Sequence, residues 1–283
     1  MIPWPVYLED SYYMGATIGR FANRIADASF TIDRKTFHLE ANDGNNTNHG
    51  GFSGFHNKVW QWEELPDGIR FSLYSPDGEG GFPGNIRVIT DYRFNEDNEL
   101  SVRHYAETDC ATYINMTNHA YFNLCGKGKK ITEHRLHIPA DRILDTTPAF
   151  IPTGKRMNVK NTPFDFTSLK PIGTDLYADH EQLLWNKGYN HCYILKDEIS
   201  VEMLEAASLY EPVTGRKMTV MTDLPAVLLY TAGYYERPDT AVCLETQFYP
   251  DTPSHSDFPS CLVLPEKAYE HCTLFHFQVQ KEE

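Results

Sequence analysis

The chain has 283 residues, 41% of them hydrophobic and 13% aromatic, enough for a sizeable core in one large domain or two small ones. Its 25 Lys and Arg against 39 Asp and Glu give a net charge of −14, which argues against nucleic-acid and anionic-membrane partners. No run of about 18 apolar residues exists to span a bilayer, and Met1-Ile2-Pro3-Trp4-Pro5 lacks the basic and apolar regions of a signal peptide.

Period-2 alternation of apolar and polar residues dominates from the start of the chain. Ser29-Phe30-Thr31-Ile32 and Thr36-Phe37-His38-Leu39 flank the polar turn Asp33-Arg34-Lys35 and predict a hairpin. Residues 69–74 alternate cleanly and run into the turn cluster 76–84, rich in Gly and Pro. Two more strands are predicted over 86–94 and 100–105, separated by Asn95-Glu96-Asp97-Asn98. Helical signals are few, with a turn or two at 168–177 or 178–184. Later strands are predicted at 217–222, 226–231, 241–246 and 273–279. Closely spaced strands joined by Gly-, Pro- and Asn-rich loops predict an all-β fold, an antiparallel sandwich or barrel with few short helices. No repeat, low-complexity tract or linker divides the chain, so residues 1–283 are expected to form a single domain. The six cysteines form no C-x-x-C pair, and a chain this long needs no disulfide staples, so free thiols in the cytoplasm are expected.

Three distant segments carry the residue types that move protons. They are Asn48-His49-Gly50-Gly51, Asn118-His119-Ala120-Tyr121-Phe122-Asn123-Leu124 and Leu244-Glu245-Thr246-Gln247. Glu245 ends an apolar strand-like run and is a candidate base, although a surface or ion-paired glutamate would read the same way. His119 is a candidate acid, since an imidazole titrates near neutrality; a core histidine with satisfied partners is the plainer alternative. His49 sits in a Gly-rich loop that lets a ligand approach. Arg24 offers five donors in a rigid fork, and a structural ion pair is the alternative, one that suits Arg20 better. Tyr121 could stack on a ligand or fill the core. His49, His119 and His191 could be imagined as three zinc ligands, but neither H-x-x-x-H nor H-E-x-x-H spacing occurs, and no metal is expected.

The segment Gly15-Ala16-Thr17-Ile18-Gly19-Arg20-Phe21-Ala22-Asn23-Arg24-Ile25, followed by Asn48-His49-Gly50-Gly51, resembles the opening signature of the aldose 1-epimerases, or galactose mutarotases. Collinear with it are Ser75-Pro76-Asp77-Gly78, the segment around His119, Ile151-Pro152-Thr153-Gly154, Gly188-Tyr189-Asn190-His191, Leu244-Glu245-Thr246-Gln247 and Pro250-Asp251. The resemblance runs from about Tyr7 to Phe277. It implies a large galactose mutarotase-like β-sandwich with an open sugar cleft on one sheet, and interconversion of the α and β anomers of a free aldose such as galactose or glucose. Glu245 and His119 would be catalytic; Asn23, Arg24, His49, Tyr121 and Asn190 would bind substrate; no cofactor is required, because general acid–base catalysis suffices.

Two positions depart from the family pattern. Asn190 replaces the usual aspartate, and Leu228 stands where some members have a glutamine, so the preferred sugar is left open. The family also carries a further N-terminal segment, mostly strands, ahead of this chain's first residue. The exposed sheet edge is then expected to be capped by the chain or by a second copy in a homodimer. The remaining alternatives are a hexose-6-phosphate 1-epimerase, which needs several Arg or Lys around the phosphate, and a non-catalytic sugar-binding homologue.

Overall fold

A computed structural model describes residues 10–126, 128–199 and 201–280; the Met1–Pro5 segment and the start of the family resemblance at Tyr7 lie outside them. Two antiparallel sheets pack face to face. The larger has nine strands, with Gln61–Leu65 at one edge and Lys170–Pro171 at the other. The smaller has five, in the order Pro152–Asn158, Arg142–Thr146, Asn190–Ile194, Ala226–Tyr230, Cys243–Gln247. Helix is confined to Glu181–Asn186 and a few single turns among the described residues, and none is long and apolar enough to cross a membrane.

The predicted strands are present with adjusted ends. The first hairpin joins Ser29–Ile32 to Lys35–His38 through a two-residue turn, so Lys35 belongs to the strand rather than the turn. Asp33 and Arg34 both have positive φ, which the right-handed twist of a tight hairpin requires. The strand predicted at 100–105 extends over Glu99–Thr108, and the last one over Tyr269–Val279.

Side-chain alternation in the five-stranded sheet sets up everything that follows. Ile143, Tyr193, Val227, Leu229 and Leu244 point inward, where they meet Val102, Leu209, Met218, Val220 and Phe275 in one buried cluster. Thr246 also points inward and its hydroxyl hydrogen-bonds that of Thr273 on the other sheet. The intervening residues therefore point outward. Pairing places Leu228 opposite Glu245, Tyr230 opposite Cys243, and Asn190 opposite Tyr230. This outer face is itself covered by the segments that precede and connect the strands, so all five residues of Cys243–Gln247 are buried.

Candidate active site

A cleft of about 220 Å³ opens on that outer face. All seven residues singled out in the sequence line it: Asn23, Arg24, His49, His119, Tyr121, Asn190 and Glu245. They converge although 222 positions separate Asn23 from Glu245 (245 − 23).

The loop side is built from a reciprocal pair. The His49 backbone N–H donates to the Asn23 carbonyl at 3.1 Å, and the Asn23 N–H donates to His49 Nδ1 at 3.2 Å. Accepting at Nδ1 leaves the neutral ring's proton on Nε2. Asn23 and His49 both hold the left-handed conformation, φ 64° and 52°, a concentration of uncommon backbone at a ligand-facing site. The next residue must be glycine: Gly50 has φ +83°, and a Cβ there would lie 2.1 Å from the Gly19 carbonyl oxygen. Arg24 pairs in register with Asn48, its Nε donates to Asp43 at 2.7 Å, and its guanidinium lies over the Phe150 ring.

His119 arrives from another direction. Its backbone is tied to Ala16 and Gly15, its ring stacks on Tyr121 with centroids 5.2 Å apart, and the His49 ring meets it edge-on at 5.4 Å. Tyr121 donates its hydroxyl proton to the Tyr12 carbonyl, which fixes the stacking ring. His119 Nε2 stands 3.6 Å from Glu245 Oε1, and Nδ1 faces Cys243 Sγ at 3.8 Å. The two proton-moving groups are therefore side by side. At that separation no pyranose ring fits between the two groups, so a sugar in the cleft meets both from one side.

Burial controls the electrostatics. Glu245 is 1% exposed, and neither carboxylate oxygen has a hydrogen-bond partner among the described residues. Desolvation pushes its pKa up to about 8, against a weaker opposing pull from Arg24. Desolvation likewise lowers His119 to about 4 and holds His49 well below the ordinary histidine value. Burial thus favours the uncharged pair at neutral pH, a protonated carboxyl beside a neutral imidazole.

Other sequence readings resolve differently. Arg20 is structural, but not as an ion pair: its guanidinium donates to the carbonyls of Ser75, Pro76, Pro83 and Gly84 and to the Ser75 hydroxyl. The ion pair belongs to Arg24 instead. His191 lies on the opposite face of its strand from Asn190, fully buried against Phe164, so the imagined three-histidine cluster does not assemble in the cleft. The Asn190 side-chain amide faces the cleft and has no hydrogen-bond partner among the described residues. Sequence reasoning missed the aromatic wall of Tyr13, Phe150, Tyr230 and Tyr234. Tyr13 packs on both His49 and His56 at 4.7 Å, and its place just ahead of Gly15-Ala16-Thr17 was the one available signal.

Known proteins match nearly the whole chain. The family described as aldose 1-epimerase matches residues 4–276. A galactose mutarotase from Rattus norvegicus is 37% identical over 285 residues, covering 96% of this chain and 81% of that protein. An aldose 1-epimerase from Escherichia coli (strain K12) is 34% identical, covering 96% and 82%. Among solved structures, an aldose epimerase homologue from C. elegans superposes with a TM-score of 0.88 at 25% identity, covering 99% of this chain and 86% of that one. A galactose 1-epimerase from Lactobacillus acidophilus NCFM gives 0.87 at 26%, covering 99% and 84%.

Proposed function

This chain belongs to the aldose 1-epimerase family and is an aldose 1-epimerase, and from that premise we propose that Glu245 and His119 carry its proton transfers on a neutral free aldose. Glu245 takes the proton from the C1 hydroxyl while His119 gives one to the ring oxygen. The electron pair freed at the C1 oxygen forms the carbonyl as the C1–O5 bond breaks. Rotation about C1–C2 presents the other carbonyl face, and the same two groups reverse the transfers.

The observation that carries this reading is the pair itself: Nε2 and Oε1 at 3.6 Å, both buried, with the carboxylate otherwise unpartnered. Burial strengthens each partner for its task. A carboxylate whose conjugate acid has a pKa near 8 is a better base than an ordinary glutamate, and an imidazolium near 4 is a better acid than an ordinary histidine. The reactive form is the charged tautomer of the resting neutral pair and contains the same number of protons. Sugar hydroxyls and Arg24 stabilise its carboxylate. His49 donates from Nε2 near the ring oxygen, Arg24, Asn23 and Asn190 hold hydroxyls, and Tyr121 packs beside the sugar.

Arg24 is the single Lys or Arg lining the cleft among the described residues, and Asp43 already neutralises it. That supports a neutral sugar over a hexose 6-phosphate, whose phosphate needs several cationic donors. Leu228, directly opposite Glu245, makes one wall apolar. With Asn190 in place of a carboxylate, it supports looser recognition of galactose, or a preference for another aldose. All seven candidate residues come from one chain, which supports chemistry that does not draw on a second copy. All six thiols are free, which supports the cytoplasm or another reducing compartment. Polarimetry of freshly dissolved α-D-galactose, α-D-glucose and glucose 6-phosphate tests the substrate reading. Acceleration of the free sugars but not the phosphate is expected; a preference for the phosphate would overturn it.

A further inference from the structure

The acid–base reading leaves Cys243 without a part. Cys243 and Glu245 are two residues apart on one strand, so both side chains leave the same face. His119 reaches that face from a distant segment. One imidazole nitrogen, one thiol sulfur and one carboxylate oxygen from the three residues lie within 4.8 Å of one another. All three residues are buried, Cys243 completely. Glu245 adds an independent sign of an unmet ligand: both its oxygens are unpartnered, 1% exposed, and on the cleft wall.

We propose that His119, Cys243 and Glu245 form an inhibitory site for a soft divalent cation of the zinc class. The donor set decides the class. Nitrogen, sulfur and oxygen donors together suit zinc, whereas magnesium and calcium take oxygen ligands. Three protein ligands leave a fourth position toward the cleft for water. Zinc bonds of roughly 2.0–2.3 Å set tetrahedral ligand atoms about 3.3–3.8 Å apart, so side-chain rotation of about an ångström closes the site.

The binding step balances without a redox partner. The aquo cation gives up all but one of its waters and accepts a lone pair from the unprotonated imidazole nitrogen. The Cys243 S–H bond breaks and its proton leaves to solvent as the metal–sulfur bond forms; a coordinating thiol is deprotonated outright. A protonated Glu245 loses its proton in the same way. Thiolate and carboxylate then offset the cation's two charges, so the buried cluster is neutral overall. His119 keeps its one ring proton and binds through its other, lone-pair nitrogen. Occupation removes both proton-moving groups at once. Inhibition therefore rests on the acid–base reading above, whereas binding does not.

The test uses Zn²⁺ alone in a non-chelating buffer, with Co²⁺ as a spectroscopic probe whose thiolate charge-transfer band reports a metal–sulfur bond. Wild type, Cys243→Ser and the control Cys110→Ser, an exposed thiol, are each compared with their own metal-free mutarotation rate. Zn²⁺ is expected to slow wild type and Cys110→Ser, EDTA to restore the rate, and galactose to weaken the inhibition by competition. Losing one ligand in Cys243→Ser should weaken inhibition roughly tenfold or more and abolish the Co²⁺–thiolate band. Equal inhibition in Cys243→Ser overturns the site. So does a wild type that mutarotates sugars but shows neither a thiolate band nor zinc inhibition, and galactose competition gives a check in wild type alone if Cys243→Ser fails to fold. A band lost in Cys243→Ser, in a protein whose mutarotation survives loss of Glu245 and His119, would uphold the metal site while the acid–base reading fails.

Discussion

Replacing Glu245 by glutamine should stabilise the protein, and by more as the pH rises. In the folded chain, burial raises the Glu245 pKa from 4.5 to about 8; in the unfolded chain the carboxyl titrates normally. Between those values the unfolded state has released a proton that the folded state still holds, so stability falls with pH. The sign follows directly. The group costs nothing below about pH 4.5, and its penalty grows until the folded carboxyl also ionises near pH 8. Linkage gives a negligible penalty at pH 4.5, about 3 kcal/mol at pH 7 and about 5 kcal/mol at pH 9. Both figures are upper limits, because the cleft is open to water. Glu245→Gln keeps the shape and removes the titration, so urea unfolding of both proteins at pH 4.5, 7 and 9 should show a gap that opens with pH in the variant's favour. A gap that stays flat, or a wild type that is more stable at pH 9, would refute the reasoning. It would mean that Glu245 rests ionised against an imidazolium rather than protonated beside a neutral ring.

The profile of kcat/KM against pH should be bell-shaped, with limbs near about 4 and about 8: below the first the pair gains a second proton, and above the second it loses its only one. These limbs belong to the pair as a unit, and a profile still rising at pH 10 would break the scheme. Arg20→Met strips the donors from four backbone carbonyls and should cost at least about 3 kcal/mol in chemical denaturation, since each buried acceptor left unpaired costs roughly 1–3 kcal/mol. A loss under 1 kcal/mol would mean that water takes over those bonds. Asn190→Asp should lower KM for at least one aldose with kcat little changed, because an ionised carboxylate accepts a stronger hydrogen bond from a sugar hydroxyl. An unchanged KM for every sugar tested would remove Asn190 from the binding surface.

Strands with one face buried and one exposed announce themselves by alternation, and those were legible. The strand Leu204–Glu211 was not, because its Leu, Glu and Ala favour helix, and packing against the core overrides that preference. Asn190–Ile194 is nearly all buried, since its outer face lies under the cleft, so it lacks the period that would mark it. Gln61–Leu65 is an edge strand with its surface in water, and Glu63 and Glu64 hide its β character while blunting the edge against pairing. Within the site, His49, His119 and Glu245 were legible because they sit in recognisable motifs. Their spacing was not, since 3.6 Å between two distant segments is set by sheet packing rather than by local sequence. The aromatic wall escaped for the same reason. Tyr13, Phe150 and Tyr230 are ordinary aromatics until the fold turns them toward one space.

The most direct test of the proton-transfer assignment is the polarimetric rate of α-D-galactose mutarotation by Glu245→Gln and His119→Asn, each checked for wild-type folding by circular dichroism. Each variant keeps the shape of the group it replaces but cannot exchange the proton. Each should lose about 10²–10⁴-fold in kcat. Near-wild-type mutarotation by a correctly folded Glu245→Gln would contradict the account, whatever the geometry of the cleft.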